Sequence, residues 1–327
     1  MSLTTFEEKV EEIGKTRKFY ELSLLLIENA GHENIIKYAV EYLPKMHHLT
    51  VAEVVEAIIL KSNKNLNEIK DLVLFALEIV KKDNQNSIIV IQLAYILYLI
   101  KINSIEEIES KILEYLDTPQ LTLENKLKVN YAAYKFYEKL ENWDNAIDFA
   151  LQSNLDLIDI NLICIYAVIS NNFYDFAKIK ALNKFDMVKE SLKVFINELL
   201  GGVFVTTKEL QLPTCIPNKY YDLVKEKVFL IEIVNICRRN LTSKFVKFEE
   251  FMNTFNFPNT NSLVYLLIKA LGKGLVKGWI DSEIEMFYFD TIIPQELAKK
   301  DVIDLRQKFV NMRNRVHDVI EMLQNFN

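Results

Sequence analysis

From the N-terminus to about residue 200, helix-start signals and helix-period apolar positions recur every ~16–20 residues. No strand-like alternation of useful length interrupts them. A short amphipathic helix cannot bury its apolar stripe alone. With only two to five polar residues between them, consecutive helices fold back as antiparallel pairs, and such pairs stack into an α-solenoid. The composition agrees: 7 Gly and 6 Pro in 327 residues, half of them apolar, leave little for long loops or disorder.

The individual signals predict helices over 15–30 and 32–43, the second stopping before Pro44. Thr50 with Glu53 reads as a capping box that opens a helix to Lys61. Asn65 with Glu68 opens the next, with Ile69, Leu72, Val73, Ala76, Leu77 and Val80 at three- and four-residue steps. Ser104 with Glu107 opens another, carrying Ile108, Ile112 and Leu116. Further helices are expected near 122–140, 143–153, 156–170, 172–182 and 187–200. Two helices take about 36 residues, close to the tetratricopeptide period of about 34. Ala133, Phe136 and Tyr137 followed by Trp143, Ala146 and Ile147 read as one degenerate repeat of that kind, a large aromatic on the first helix meeting a small alanine on the second. The most apolar stretch, Ile88–Ile100, is interrupted by Gln92 and ends at Lys101. It falls short of the ~20 residues of a bilayer span and is expected to be a buried helix. Met1–Glu12 is polar and acidic and does not read as a signal peptide.

The pattern changes after Pro217. A helix is expected over 219–239, then a short strand at Lys244–Phe248, and a brief helix, Glu249–Phe255, with Phe248, Phe251 and Phe255 on one side. Asn259 or Thr260 caps a further helix with the apolar face Leu263, Leu266, Leu267, Ala270 and Leu271, ended by Gly272 and Gly274. A hairpin follows, with arms Leu275–Ile280 and Glu283–Ile292 and the turn at Asp281-Ser282. Helix, strand, helix, helix, strand, strand is the order of a winged helix. In the tail, Val302, Leu305, Phe309, Met312, Val316, Val319 and Leu323 follow steps of three and four without a break. That narrow heptad seam suits packing against helices of other chains better than folding back on its own domain.

The expected fold class is therefore mainly α: a helical-repeat arm over 1–200, a winged-helix module with a small β-sheet over 201–295, and a bundle-forming C-terminal helix over 296–327. Charge divides in the same region. Residues 1–218 carry 23 basic against 31 acidic side chains, and residues 219–327 carry 16 against 14.

The net charge of −6 disfavours broad polyanion binding. Lys269, Lys273 and Lys277 form a small positive strip, with Arg238 and Arg239 as additions, but five cations fall below the phosphate contacts of a strong binder. Nucleic acid is not expected as a partner. The three cysteines, Cys164, Cys215 and Cys237, are widely spaced and read as reduced thiols of a cytoplasmic or nuclear protein. The four histidines, His32, His47, His48 and His317, make no metal-ligand spacing. Gly272-Lys273-Gly274 follows a helix rather than preceding one, so it reads as a helix stop and not a phosphate loop. No nucleophile elbow is present. The reading is a protein with no catalytic residues, no cofactor and no metal.

Several runs carry a family resemblance. Leu267-Ile268-Lys269-Ala270-Leu271, then Gly274 through Asp281, together with Lys227–Val234 and Val246–Glu250, resemble the winged-helix end of the PCI family. The PCI subunits of the proteasome lid are the most similar members. Upstream, Trp143–Phe149 and Phe173–Phe176 fall where those subunits have their last repeat helices. The likeness is strong over 220–320, fair over 130–220 and architectural before that. Trp279 stands where the family usually has a small polar residue, Gln295 follows Pro294 where arginine is common, and the arm is shorter than usual.

The resemblance implies a non-catalytic scaffold supporting ubiquitin-dependent proteolysis. It implies joining to other PCI subunits through the winged-helix sheet and a shared C-terminal helical bundle, with the arm near a ubiquitin-receptor subunit. The interface residues it implies are Val276, Trp279, Ile280, Phe287 and Phe289 on the wing, and Val302, Leu305, Phe309, Met312, Val316, Val319 and Leu323 on the tail. PCI scaffolds of the COP9 signalosome or of a translation initiation factor, and nucleic-acid-binding PCI proteins of messenger export, are the alternatives.

Overall fold

The computed structural model describes residues 5–61, 65–80, 84–104, 108–118, 121–201, 212–257, 259–293, 306, 307 and 309–317. The chain is mainly helical, and its described residues include one three-stranded antiparallel sheet. It divides into two compact units, Met1–Tyr166 and Ala167–Asn327.

The first unit holds α1 (Phe6–Lys15), α2 (Phe19–Glu28), α3 (Ile35–Tyr42), α4 (His48–Lys61), α5 (Leu66–Ile79), α6 (Gln85–Lys101), α7 (Ile108–Leu116), α8 (Leu123–Lys139) and α9 (Trp143–Gln152). The division falls inside α10 (Ile160–Ile169). Helices α2, α4, α6 and α8 pack in succession, each on the next, and the odd-numbered helices pack on their chain neighbours. The apolar periodicity explains the core: Ile69, Leu72, Val73 and Ala76 of α5 are buried as their spacing predicts, and α6 buries residues on most of its circumference. Among the described residues no helix is long and apolar enough to cross a membrane.

Helix starts follow their caps. The Asn65 side chain accepts from the Glu68 amide at 3.0 Å and donates to the Glu68 carboxylate at 2.7 Å, as read from the sequence. Two starts differ. A capping box at Thr5 and Glu8 opens α1, and Arg17, with φ 56°, breaks the chain before α2, so the helix expected over 15–30 is the end of α1, a turn and α2. The helix expected to open at Thr50 already begins at His48, which puts Thr50 inside it. The Ser104–Glu107 box includes residues outside those described. Gly14 leaves room for the Tyr42 ring: a Cβ there would lie 2.5 Å from the Tyr42 hydroxyl oxygen, and the ring would have to shift.

A carboxylate ties three elements of this unit together. Glu138 of α8 accepts hydrogen bonds from the hydroxyls of Tyr134 (2.9 Å) and Tyr166 (2.5 Å) and from the Lys135 ammonium (2.8 Å). Tyr166 stacks on Trp143 of α9 at 4.7 Å. Burial alone would raise the Glu138 pKa, but its three donors outweigh burial and hold it below the ordinary carboxylate value.

The second unit contains α11 (Phe176–Lys180), α12 (Glu190–Gly201), α13 (Tyr221–Arg239), β1 (Phe245–Lys247), α14 (Phe248–Phe255), α15 (Thr260–Gly272), β2 (Val276–Asp281) and β3 (Met286–Ile292). Within it α11 packs on α12 and α12 on α13. The strand order is β1-β3-β2, with β2 at one edge. Asn259 caps α15, accepting from the Ser262 amide at 3.0 Å. Gly274, at φ +68°, closes that helix: its amide donates to Leu271 and the Leu275 amide to Ala270, both at 3.0 Å, the paired bonds of a Schellman motif.

The hairpin turn is longer than the two residues expected. Asp281 is the last residue of β2, and its Oδ1 accepts from the amides of Glu283 (3.1 Å) and Ile284 (3.3 Å). The carboxylate thus organises a turn that reaches Glu285, at φ 53°, where a two-residue turn would need positive φ at both central positions.

Candidate interaction surface

Alternation along the three strands separates two faces. Val246, Phe287 and Phe289 turn inward and are buried, and Phe251 meets Phe287 edge-on at 6.2 Å. The opposite face carries an aromatic row. Phe245, Tyr288 and Trp279 are direct cross-strand partners over β1, β3 and β2. Trp279 stacks on Tyr288 at 5.1 Å with planes 10° apart, and Phe245 lies 6.1 Å from Tyr288. Trp279 remains 53% exposed, and Ile284 in the turn is exposed as well.

The implied wing residues therefore divide. Val276, Phe287 and Phe289 are consumed by the module's own core, Ile280 is half-buried, and Trp279 alone stands free as a large exposed ring. On the tail, residues 309–317 are helical, with Phe309, Met312 and Val316 exposed on one stripe. Val302, Leu305, Val319 and Leu323 lie outside the described residues. Sequence reasoning missed Phe245 and Tyr288, which belong with Trp279. The signal was present in the strand alternation, but only the register makes these three residues neighbours.

The edge strand β2 is regular. The irregularity in its pairing with β3 falls between Lys277↔Thr291 and Gly278↔Phe289, so the extra residue is Asp290 on β3. Gly278 is required by close approach: an added Cβ would lie 2.0 Å from the Tyr288 carbonyl oxygen. Lys277, Trp279 and Asp281 consequently share the outer face.

The positive strip read from the sequence is largely engaged in local contacts. Lys269 pairs with Glu226 at 2.6 Å. Lys273 donates to the Asn171 carbonyl (2.8 Å) and the Asn172 side chain (3.1 Å). Arg239 pairs with Glu232 at 2.9 Å.

Among the described residues of this unit, two charged side chains are buried. Lys227 is 3% exposed and donates to the carbonyls of Ala167 (2.7 Å) and Ser170 (2.8 Å) and to the Ser170 hydroxyl (3.1 Å). Its ammonium also lies over the rings of Tyr174 and Phe176. Glu232 is likewise 3% exposed, and burial raises its pKa despite Arg239 and Asn235.

An open groove of about 510 Å³ lies beside α13 and the start of α15, lined by Phe229, Phe257, Tyr265 and Leu266 with Asp222, Lys225 and Glu226 at its polar side. Its one hydroxyl of nucleophile type, Ser262, donates to the Asn259 amide oxygen at 3.0 Å, an acceptor that cannot take its proton. Glu226 is held by Lys269. Elsewhere, burial pushes the Cys237 thiol up to about 12, which suppresses thiolate chemistry. Among the described residues no group of three or more His, Cys, Asp or Glu could hold a metal ion.

No protein-family model matches the chain, and no curated protein matches it significantly.

Proposed function

We propose that this chain is a non-catalytic scaffold subunit of a multi-subunit complex, of the PCI class: a helical-repeat arm, a winged helix and a tail helix that joins a bundle. Within that class the reading is a subunit of the proteasome lid. The subunit its wing runs resemble most is the ninth non-ATPase subunit of the regulatory particle, called non-ATPase subunit 13 in animals.

The observation that carries the class is the element order α13, β1, α14, α15, β2, β3 with strand order β1-β3-β2, following a train of short helices. That combination supports a winged helix, and the succession α2, α4, α6, α8 supports a stacked-helix arm. The lid assignment rests on the sequence resemblance. An edge strand bearing an exposed Trp279, and a tail helix with Phe309, Met312 and Val316 exposed on one stripe, suit a protein that works by being packed against.

The tail is the direct test. A tagged chain lacking residues 299–327 should keep the native circular dichroism of the remainder and fail to be recovered with the lid from cells. Recovery at the level of the full chain would overturn the bundle role.

A further inference from the structure

We infer that the outer edge of β2 is self-complementary, and that a second copy of this chain pairs with it antiparallel about a two-fold axis through Trp279. The strand reads Lys277-Gly278-Trp279-Ile280-Asp281. Antiparallel pairing centred on residue 279 sets Trp279 against itself and Lys277 against Asp281 of the second copy, twice by symmetry. Isologous contacts of this kind close on themselves as dimers.

Three observations support this occupant over an unrelated one. Among the described residues the strand order leaves β2 with one unpaired edge, and its six residues, uninterrupted because the bulge is carried by Asp290 on β3, give a ladder of useful length. Edge strands commonly use a lone lysine to repel a second strand; here each lysine meets an aspartate. The Lys277 ammonium makes no ion pair within the described residues, and Asp281 uses only Oδ1, for the turn amides. Finally, the row Phe245, Tyr288, Trp279 would continue into its symmetry mate as six rings across six strands, covering the exposed Trp279. β1 at the other edge has three residues and offers no comparable ladder.

The inference stands on the geometry of β2 and not on the lid assignment. A chain whose wing edge is reserved for a neighbour would, by this pairing, cover that edge while free.

The purified full chain tests it. Sedimentation equilibrium should show mass rising with concentration towards a dimer. Lys277→Asp turns both cross-strand pairs repulsive and should weaken association about tenfold or more, with the melting of the dilute, monomeric chain unchanged. Under mild oxidation with oxidised glutathione, Trp279→Cys should form a disulfide-linked dimer, and Lys277→Cys should not, because only residue 279 faces itself. The inference is overturned by a chain that stays monomeric at every concentration, by a dimer indifferent to Lys277→Asp, or by Lys277→Cys cross-linking as readily as Trp279→Cys. None of these outcomes bears on recovery of the chain with a larger complex.

Discussion

The Lys227 ammonium ends where the last carbonyls of α10 emerge, so it serves as a cation at a helix C-terminus and as the donor for otherwise orphaned oxygens. Lys227→Met keeps the aliphatic bulk and removes three donors. It should cost about 2–4 kcal/mol in urea unfolding, because buried acceptors lose their partner. Gly278→Ala would drive a Cβ into the backbone of β3, which cannot yield as a flexible side chain would. A loss of about 1–3 kcal/mol is expected, read as a lower melting temperature.

Glu232 has a folded pKa above its unfolded one, so its contribution is present at low pH and is lost as pH rises through the folded value. Arg239 limits that loss with a 2.9 Å bond, although the arginine is half exposed and screened. Arg239→Ala should therefore cost about 1–2 kcal/mol near neutral pH. The deficit should shrink as the pH approaches the ordinary glutamate range, where the buried carboxyl is protonated. Denaturant titrations at the two conditions measure the difference, and a deficit that grows on acidification would contradict the assignment.

At the level of elements, starts with a short polar cap were legible, whereas the helices expected from 32, 156 and 172 begin three or four residues later, at Ile35, Ile160 and Phe176. Asn65 and Asn259 announce helices because a short polar side chain has one good use at that position, bonding a free amide of the first turn. Asn65→Ala and Asn259→Ala should each cost about 1 kcal/mol by thermal melting. The stops of α1, α6 and α8 are different. They use Arg17, Asn103 and Glu141 at positive φ, with no glycine to advertise them. A left-handed residue of that kind is held by the packing around it, which sequence alone does not display; the expected helix over 15–30 ran through Arg17 for this reason. The hairpin turn exceeds the two residues expected because the fold makes Asp281 the end of β2 and a cap for the turn. Trp279 stood out in the sequence as a departure from the family pattern, but its neighbours Phe245 and Tyr288 came only with the register, a long-range property. Three other wing residues, Val276, Phe287 and Phe289, were expected at an interface and lie in the core. In a half-buried sheet the two faces alternate residue by residue, and which face is inward depends on α14 and α15 rather than on the strand itself.

At the scale of the whole molecule, mainly helical structure follows directly from period and composition. The described parts contain an open groove with no activated nucleophile and buried charges that serve packing. What they offer to the outside is an edge strand, an aromatic row and an apolar stripe on the tail helix. Those features suit contact with other protein surfaces, in keeping with the scaffold role proposed above. The measurement that tests it most directly is affinity purification of the tagged full chain from its own cells, with quantitative mass spectrometry of the recovered proteins. A lid scaffold should bring down lid subunits and the proteasomal ATPases in amounts near equal to the tagged chain. Recovery of the chain alone, or with no stoichiometric partner, would contradict it.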